Sequence, residues 1–382
     1  MDMDDAAARA RSIAEDVVRR HSEQTDREAR WPEESIRALL GAGLGGMVLP
    51  REHGGLGLGL AALARVCEEL GRVCPSTALC FGMHHVAAAV ISAKASPAQA
   101  ERYLAPIATG QHLTTLALSE PGTGVNFYFP ETALRDTADG YLVRGTKSFV
   151  TNGGHADSYV VSTAPRQGAP PGEFSLVVIP REAEGLAWQG AWAGWGMRGN
   201  SSRSVELRDV HVPRRDLLGR EGDELWYVFQ VVTPYFLIAM SGTYVGIARA
   251  ALEEARESLR ARTYSHSGAS PSSVGVLQHR LGVMWGEVER SRQLVHHAAR
   301  LGDAGSDDAL LALCGAKAEI ADCAVSVANE AMTLVGGRGY ASESRLTRLL
   351  RDARAAHVMA PTTDTLRTWM GRALLDLPIL SD

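Results

Sequence analysis

Residues 116–152 read LALSEPGTGVNFYFPETALRDTADGYLVRGTKSFVTN. The stretch opens on a glycine-punctuated turn, Ser119-Glu120-Pro121-Gly122-Thr123-Gly124. Glycines let a backbone turn tightly and bring its N–H groups close to an anion or a ring edge. It closes on a strand-like run, Tyr141 to Val150, that ends in Thr151-Asn152-Gly153-Gly154. A strand end followed by polar and glycine residues aims hydroxyl and amide groups at a planar ligand. Between the two, Val125-Asn126-Phe127-Tyr128-Phe129-Pro130 sets three aromatics in a row, either as the wall of a pocket or as packing beneath a sheet.

Outward from this stretch the pattern is of short alternating runs at 157–162, 174–179, 204–207 and 210–212, separated by turn residues, which predicts a small β domain. On either side the chain reads as helix. Amphipathic, Ala-rich spacing fills 4–22, and Pro32-Glu33-Glu34-Ser35 opens a short helix ending near Gly41. Leu60 to Leu70 has helical spacing with Glu68 and Glu69 on the wet face. Ser76 to Ala93 is nearly all apolar, as a helix buried in a core or interface is. His84 and His85 lie inside it, and two adjacent helical residues point to different sides, so one of them is a candidate to face a ligand. After residue 218, Asp223 is placed to cap a helix and Pro234 to start the next, which runs to about Arg262. Further helices are predicted at 274–302, 307–335, 343–354 and 363–374, with a glycine loop at Gly336-Gly337-Arg338-Gly339-Tyr340. The domains expected are 1–112 (helical), 113–217 (β) and 218–382 (helical bundle). The fold class is α+β, mostly α.

The 382 residues are 45% hydrophobic and 22% charged, with a net charge of −5. That composition suits two or three globular domains. It gives nucleic-acid binding no electrostatic support. The five cysteines form no CxxC pair, so buried thiols in a reducing, cytoplasmic setting are expected rather than disulfides or a metal site. The acidic start is unlike a signal peptide, and no uninterrupted apolar run spans a bilayer.

The turn at Ser119–Asn126 and the strand end at Phe149–Asn152 resemble the flavin-contacting segments of the acyl-CoA dehydrogenase superfamily. Further resemblances follow in chain order. They are the Pro50…Gly54-Gly55 turn, Glu68-Glu69-Leu70, the segment Trp195 to Gly219, Arg262, Gln278, the 336–340 loop and Arg351-Asp352-Ala353. The resemblance covers the whole chain. It implies that family's fold of helical domain, β-barrel-like domain and four-helix bundle, with FAD as cofactor and a homotetramer as the assembly. By position it implies flavin contacts from Ser119, Gly122, Thr123, Gly124 and Thr151, with Phe149 in place of a stacking Trp. It implies cross-subunit FAD contacts from Arg262, Gln278, Gly336 and Gly337. Thr333 stands where the family often has Gln.

The catalytic groups depart from the family. A thioester dehydrogenase needs a carboxylate near the substrate α-carbon. The family's usual Glu position falls on Ala360, and the minority position and its neighbouring CoA-contacting Arg fall on Phe236 and Leu237. Losing a general base costs roughly 10²–10⁴ in rate. The remaining candidates are His357 and Asp364, about one turn to either side of Ala360, with Arg203. Asp364 also reads as a first-turn capping acid. His84, His85, Asn126, Phe127, Tyr128, Phe236 and Ala360 are the candidate pocket. The reading that follows is an FAD-dependent oxidoreductase acting on a small-molecule or carrier-protein-bound substrate rather than CoA. It is expected to use oxygen, as a monooxygenase or decarboxylating oxidase of secondary metabolism, with a flavin reductase or electron-transfer protein as partner. The alternative is an acyl-thioester dehydrogenase with a relocated base. A scaffold that has lost catalysis is the third.

Overall fold

A computed structural model describes residues 1–380. Its first helical part contains α1 (Met3–Ile13), which passes through a wide π turn into α2 (Arg19–Arg27), and then α3 (Glu33–Leu39). There follow α4 (Leu60–Gly71), α5 (Pro75–Ala93) and two short helices, α6 (Pro97–Gln99) and α7 (Ala105–Ala108). Asp2 begins α1 with a reciprocal capping box to Asp5. Helix α5 is buried on all sides, as its composition requires.

The β part holds β1 (Thr114–Ala117), β2 (Ala133–Asp136), β3 (Gly140–Val150), β4 (Ser158–Thr163), β5 (Ser175–Pro180), β6 (Leu186–Gln189) and β7 (Arg203–Pro213). They form two sheets, ordered β1-β4-β5 and β2-β3-β7-β6, with β1 parallel to β4 and all other pairs antiparallel. The two runs predicted at 204–207 and 210–212 are one strand. Gly145 faces Leu207 while Val143 faces Val210, so β7 carries one extra residue, and Asp209 there has φ of 51°. The apparent break is a β-bulge.

The second helical part holds α8 (Glu224–Tyr227), α9 (Thr233–Ala261), α10 (Gly275–Asp303), α11 (Ala309–Val335), α12 (Gly337–Tyr340), α13 (Arg345–Val358) and α14 (Thr363–Leu374). Two expectations are corrected here. Pro234 does not open a separate helix: α8 runs into α9 through a π turn at Val228–Val232, so the chain is helical from 224 to 261. The wider turn interrupts the i→i−4 ladder where proline lacks its N–H. Asp223 precedes α8 but its carboxylate makes no cap. It accepts from the Arg220 N–H at 3.1 Å and pairs with Lys94 at 3.0 Å.

Helices α4, α5 and α9 meet through glycines. A Cβ at Gly242 would strike the Ala64 carbonyl, one at Gly246 the Glu68 carbonyl, and one at Gly71 the Thr243 carbonyl. Close backbone approach of this kind admits only glycine. It also buries Glu68 and Glu69, which are 2% and 5% exposed rather than on a wet face. Glu68 accepts from Arg249 of α9 and from Arg292 (2.7 Å) and His296 (3.1 Å) of α10. Helix α5 and the run 224–261 are long and apolar enough to cross a membrane by length and composition. Their most apolar windows are 89% and 83% buried inside the protein.

Candidate functional site

The turn at 119–126 is held from beneath. Lys147 lies on β3 in the same parity as Tyr141 and Val143, so it points inward, and it is fully buried. Its ammonium donates to Glu120 Oε1 at 2.5 Å, Ser162 Oγ at 2.9 Å and the Leu118 carbonyl at 3.2 Å. Glu120 also accepts from the Glu131 and Thr132 N–H groups (2.7 and 3.1 Å) and the Thr132 hydroxyl (2.7 Å). Burial pushes the Lys147 ammonium down to about 8, against the pull of Glu120. Every donor and acceptor of the pair is satisfied, which is the condition under which a buried ion pair is tolerated. The Ser148 N–H donates to the Ser119 carbonyl at 2.8 Å, so turn and strand are bound side by side.

Above this anchor the surface is open. Gly122 and Gly124 are exposed, and a Cβ at Gly124, where φ is 53°, would meet nothing within 4 Å. Phe149 has φ of 54° and is 67% exposed, its ring edge-on to Trp192. A large aromatic in a left-handed conformation, turned out of the core, is costly unless something covers it. Thr151 is buried beside it, Oγ1 lying 3.2 Å from Ser202 Oγ, and its carbonyl accepts from the Thr115 hydroxyl. Asn152 ties the strand end to the first helical part. It donates to the Cys80 carbonyl and accepts from the Trp31 indole at 2.9 Å.

Next to the turn, Phe127 and Tyr128 are buried and Phe129 is 43% exposed. Tyr128 packs against Phe229 and Trp369, and Phe129 against Phe174. Asn126 is exposed and accepts from the Tyr128 hydroxyl at 3.0 Å. The three aromatics therefore join the β part to α14 and to the π turn before α9, rather than packing under the sheet alone.

A second group of sequence candidates sits at the far end of the bundle. Arg262 follows α9 and donates to the Val335 carbonyl at 3.3 Å, immediately before Gly336 (φ 75°) and Gly337. Neither glycine would meet an atom within 4 Å of an added Cβ. Gln278 is exposed on the first turn of α10. Among the described residues, no hydrogen bond, ion pair or aromatic contact links this group to the Ser119–Thr151 group.

The catalytic and pocket candidates are dispersed. His84 is a core residue, not a ligand-facing one. Its Nε2 meets the Gly45 carbonyl at 3.0 Å, its Nδ1 accepts from the Thr114 N–H, and burial holds it down at about 4. His85 is equally buried, but neither of its ring nitrogens has a partner. Arg203 donates to the Gly190 carbonyl and lies over the Trp188 ring, on the sheet and away from His357. His357, in the last turn of α13, meets Asp322 of α11 at 2.9 Å, and Asp322 pairs with Arg367 at 2.5 Å. Asp364 is exposed in the first turn of α14, which Thr362 caps. Ala360 and Phe236 are half-buried and Leu237 fully buried. Lys317, missed in the sequence, donates to the Ala356 carbonyl at 2.6 Å and the Pro361 carbonyl at 3.1 Å, framing position 360 without a carboxylate.

Family models for the N-terminal, middle and C-terminal domains of acyl-CoA dehydrogenase match residues 2–111, 115–210 and 226–375. The cyclohex-1-ene-1-carbonyl-CoA dehydrogenase of Geobacter metallireducens is 31% identical over 96% of both chains. The chain belongs to the acyl-CoA dehydrogenase family. The butyryl-CoA dehydrogenase structure from Megasphaera elsdenii superposes with a TM-score of 0.92 at 25% identity, covering 98% of each chain. A prolyl acyl carrier protein oxidase shares the fold at a TM-score of 0.89 and 22% identity, over 97% of this chain and 98% of that one.

Acyl-CoA dehydrogenase family members are FAD-dependent flavoenzymes. This chain's residues fit that cofactor. The uncovered Phe149 ring, the open Gly124, and the guanidinium of Arg262 beside two open glycines supply a stacking face, room for close backbone approach and a cation for a pyrophosphate.

Proposed function

We propose that this chain is a flavin-dependent oxidoreductase that oxidises a small-molecule or carrier-protein-bound substrate with oxygen, without taking an α-proton through a family carboxylate. The observation that carries the reading is the apolar character of positions 360, 236 and 237. A proton-abstracting base must lie within hydrogen-bond reach of its proton. Lys317 reaches the backbone on both sides of position 360, but its ammonium is spent on the Ala356 and Pro361 carbonyls.

FAD, when bound, supplies an acceptor for the substrate's electron pair. The protein's part is to grip and shield. Ser119, Gly122, Thr123, Gly124 and Thr151 would hold the ring edge, Phe149 would cover one face, and Arg262, Gln278, Gly336 and Gly337 would reach an FAD held by a neighbouring subunit of a homotetramer. Phe127, Tyr128, Phe229 and Trp369, packed on one another, would exclude water from the adjoining space. A reductase or electron-transfer protein completes the cycle where the substrate itself does not reduce the cofactor.

The test needs no substrate. FAD-loaded protein is reduced without air and mixed with oxygen, and recovery of the oxidised flavin band is timed. Recovery within seconds supports an oxygen-using enzyme. Recovery over many minutes overturns it.

One observation favours the second reading, an acyl-thioester dehydrogenase with a relocated base. Asp322 pairs with His357 one turn before position 360, and a carboxylate behind an imidazole fixes the ring's orientation. On that reading Ala360→Glu raises acyl-CoA oxidation. No gain at any chain length counts against it.

A further inference from the structure

Two buried acids share one buried lysine. Glu120 is fully engaged, by Lys147, by two N–H groups and by the Thr132 hydroxyl. Glu224, the first residue of α8, is 0% exposed, and neither of its carboxylate oxygens has a partner. Its backbone fixes its place against the strands. The Glu224 N–H donates to the Phe174 carbonyl at 3.1 Å and the Gly222 N–H to Ser175 Oγ at 3.3 Å, so the start of α8 is fastened to the start of β5. Leu176, the second residue of β5, pairs with Ser162 of β4, whose hydroxyl accepts from Lys147. Lys147 is the charged group that acts on Glu224, and Glu224 acts on it in return. Other charges nearby are engaged elsewhere or lie further out. Asp223 pairs with Lys94 and Arg220, Glu221 with Arg166, and Glu173 lies half-exposed against Gly222. The Tyr227 hydroxyl, one turn along, is aimed at Gly219.

An ionised carboxylate away from water needs a counter-charge or hydrogen-bond donors. An ammonium already 2.5 Å from Glu120 does not neutralise a second carboxylate as well. Glu224 therefore carries a proton: burial raises it to about 8, with Lys147 pulling the other way. The three groups titrate as one cluster. Glu120, in hydrogen-bond contact, keeps the proton on Lys147. The first proton to leave in alkaline solution is the one on Glu224, which has no donor to hold its anion.

We infer that Glu224 is a positioning residue for the Ser119–Gly124 turn and acts through Lys147. With its proton on, it leaves the ammonium to Glu120 and the Leu118 carbonyl; with its proton off, it draws the ammonium away from them. The inference rests on the reading of that turn as flavin-facing. Leu118 directly precedes the turn and Glu120 lies within it, so both bonds that weaken belong to the turn's support. FAD is then held at neutral pH and released in alkaline solution. Affinity is expected to fall above pH of about 8, by up to about 10-fold per pH unit, the limit for one proton.

The experiment titrates the full chain with FAD, read by flavin fluorescence, across the neutral to alkaline range. The wild type is expected to lose affinity as pH rises, Glu224→Gln, which keeps the shape of the un-ionised acid, to show no such loss, and Glu224→Asp to restore it. The protein without FAD supplies a second readout. An acid raised in the folded state lends stability below its unfolded value and loses it as pH rises through its folded value. In urea, Glu224→Gln is therefore expected to gain on the wild type between pH of about 4.5 and about 8, and to keep that gain above. A wild-type affinity indifferent to pH, an alkaline loss that persists in Glu224→Gln, or no relative gain in stability would each overturn the proposal. The turn itself is tested by Gly124→Ala, whose methyl meets nothing in the protein. Unchanged FAD affinity in that variant sinks the flavin-facing reading. Lowered affinity there, beside a wild type indifferent to pH, sinks only the role of Glu224.

Discussion

At the scale of single residues, Lys147 shows how the site is anchored. A lysine at an inward position of an alternating strand demands an acid, and that signal was present in the Tyr141–Val150 run. Its partner Glu120 lay in the quoted turn, yet spacing alone does not say that a strand and a turn 27 residues apart are bonded. Removing one member of a buried pair leaves the other charge uncompensated, at about 3–5 kcal/mol. Lys147→Met is expected to lower unfolding free energy in urea by about that amount and to loosen the Ser119–Gly124 turn. Wild-type stability in this variant would show the pair to be dispensable. The two histidines of α5 divide as their geometry dictates: His84 is spent on backbone groups, while His85 keeps both nitrogens free. The sequence supplied the adjacency of the pair but not which ring faced the carbonyl of Gly45.

At the scale of elements, helix positions were legible because their apolar spacing was long and regular. The helices predicted at 274–302, 307–335 and 363–374 are observed at Gly275–Asp303, Ala309–Val335 and Thr363–Leu374. Failures came where a local rule met an irregular turn. Pro234 was a stop signal that a π turn absorbed, and Arg208-Asp209 was a break that became a bulge. The short strands β1, β2 and β6 carried too few residues to announce themselves. The candidate site was legible at its rims, in turn and loop glycines, and illegible between them. Arg262 belongs to such a rim, where one helix ends beside the Val335 carbonyl that ends another. If it faces a pyrophosphate, its planar fork is hard to replace. Arg262→Ala is expected to lose most of its FAD on gel filtration while the far-ultraviolet circular dichroism stays unchanged. Full flavin content would place the pyrophosphate elsewhere.

At the scale of the whole molecule, the two helical parts are joined by charge as well as by apolar packing. Burial alone would raise the Glu68 carboxyl, but His296, Arg249 and Arg292 outweigh it and bring it down to about 2. A carboxylate held below its unfolded value stabilises the fold above about pH 4.5 and loses that contribution as pH falls towards 2. His84 acts earlier. Held at about 4 when folded, it favours unfolding as pH drops from 6.5 to 4, because only the unfolded chain takes up the proton there. Stability is therefore expected to fall in two stages on acidification, and Glu68→Gln to flatten the lower one. A single stage unaffected by Glu68→Gln would remove Glu68 from the account. The glycine contacts of α4, α5 and α9 add a constraint of another kind. A glycine codon becomes an alanine codon by one base change, and at 71, 242 or 246 the new methyl would meet a carbonyl with no room to yield. Those positions are closed to the commonest small steps of genetic drift. A lineage of such proteins that turns to new substrates must do so through residues flanking the glycines, where a side chain can change without prising the helices apart.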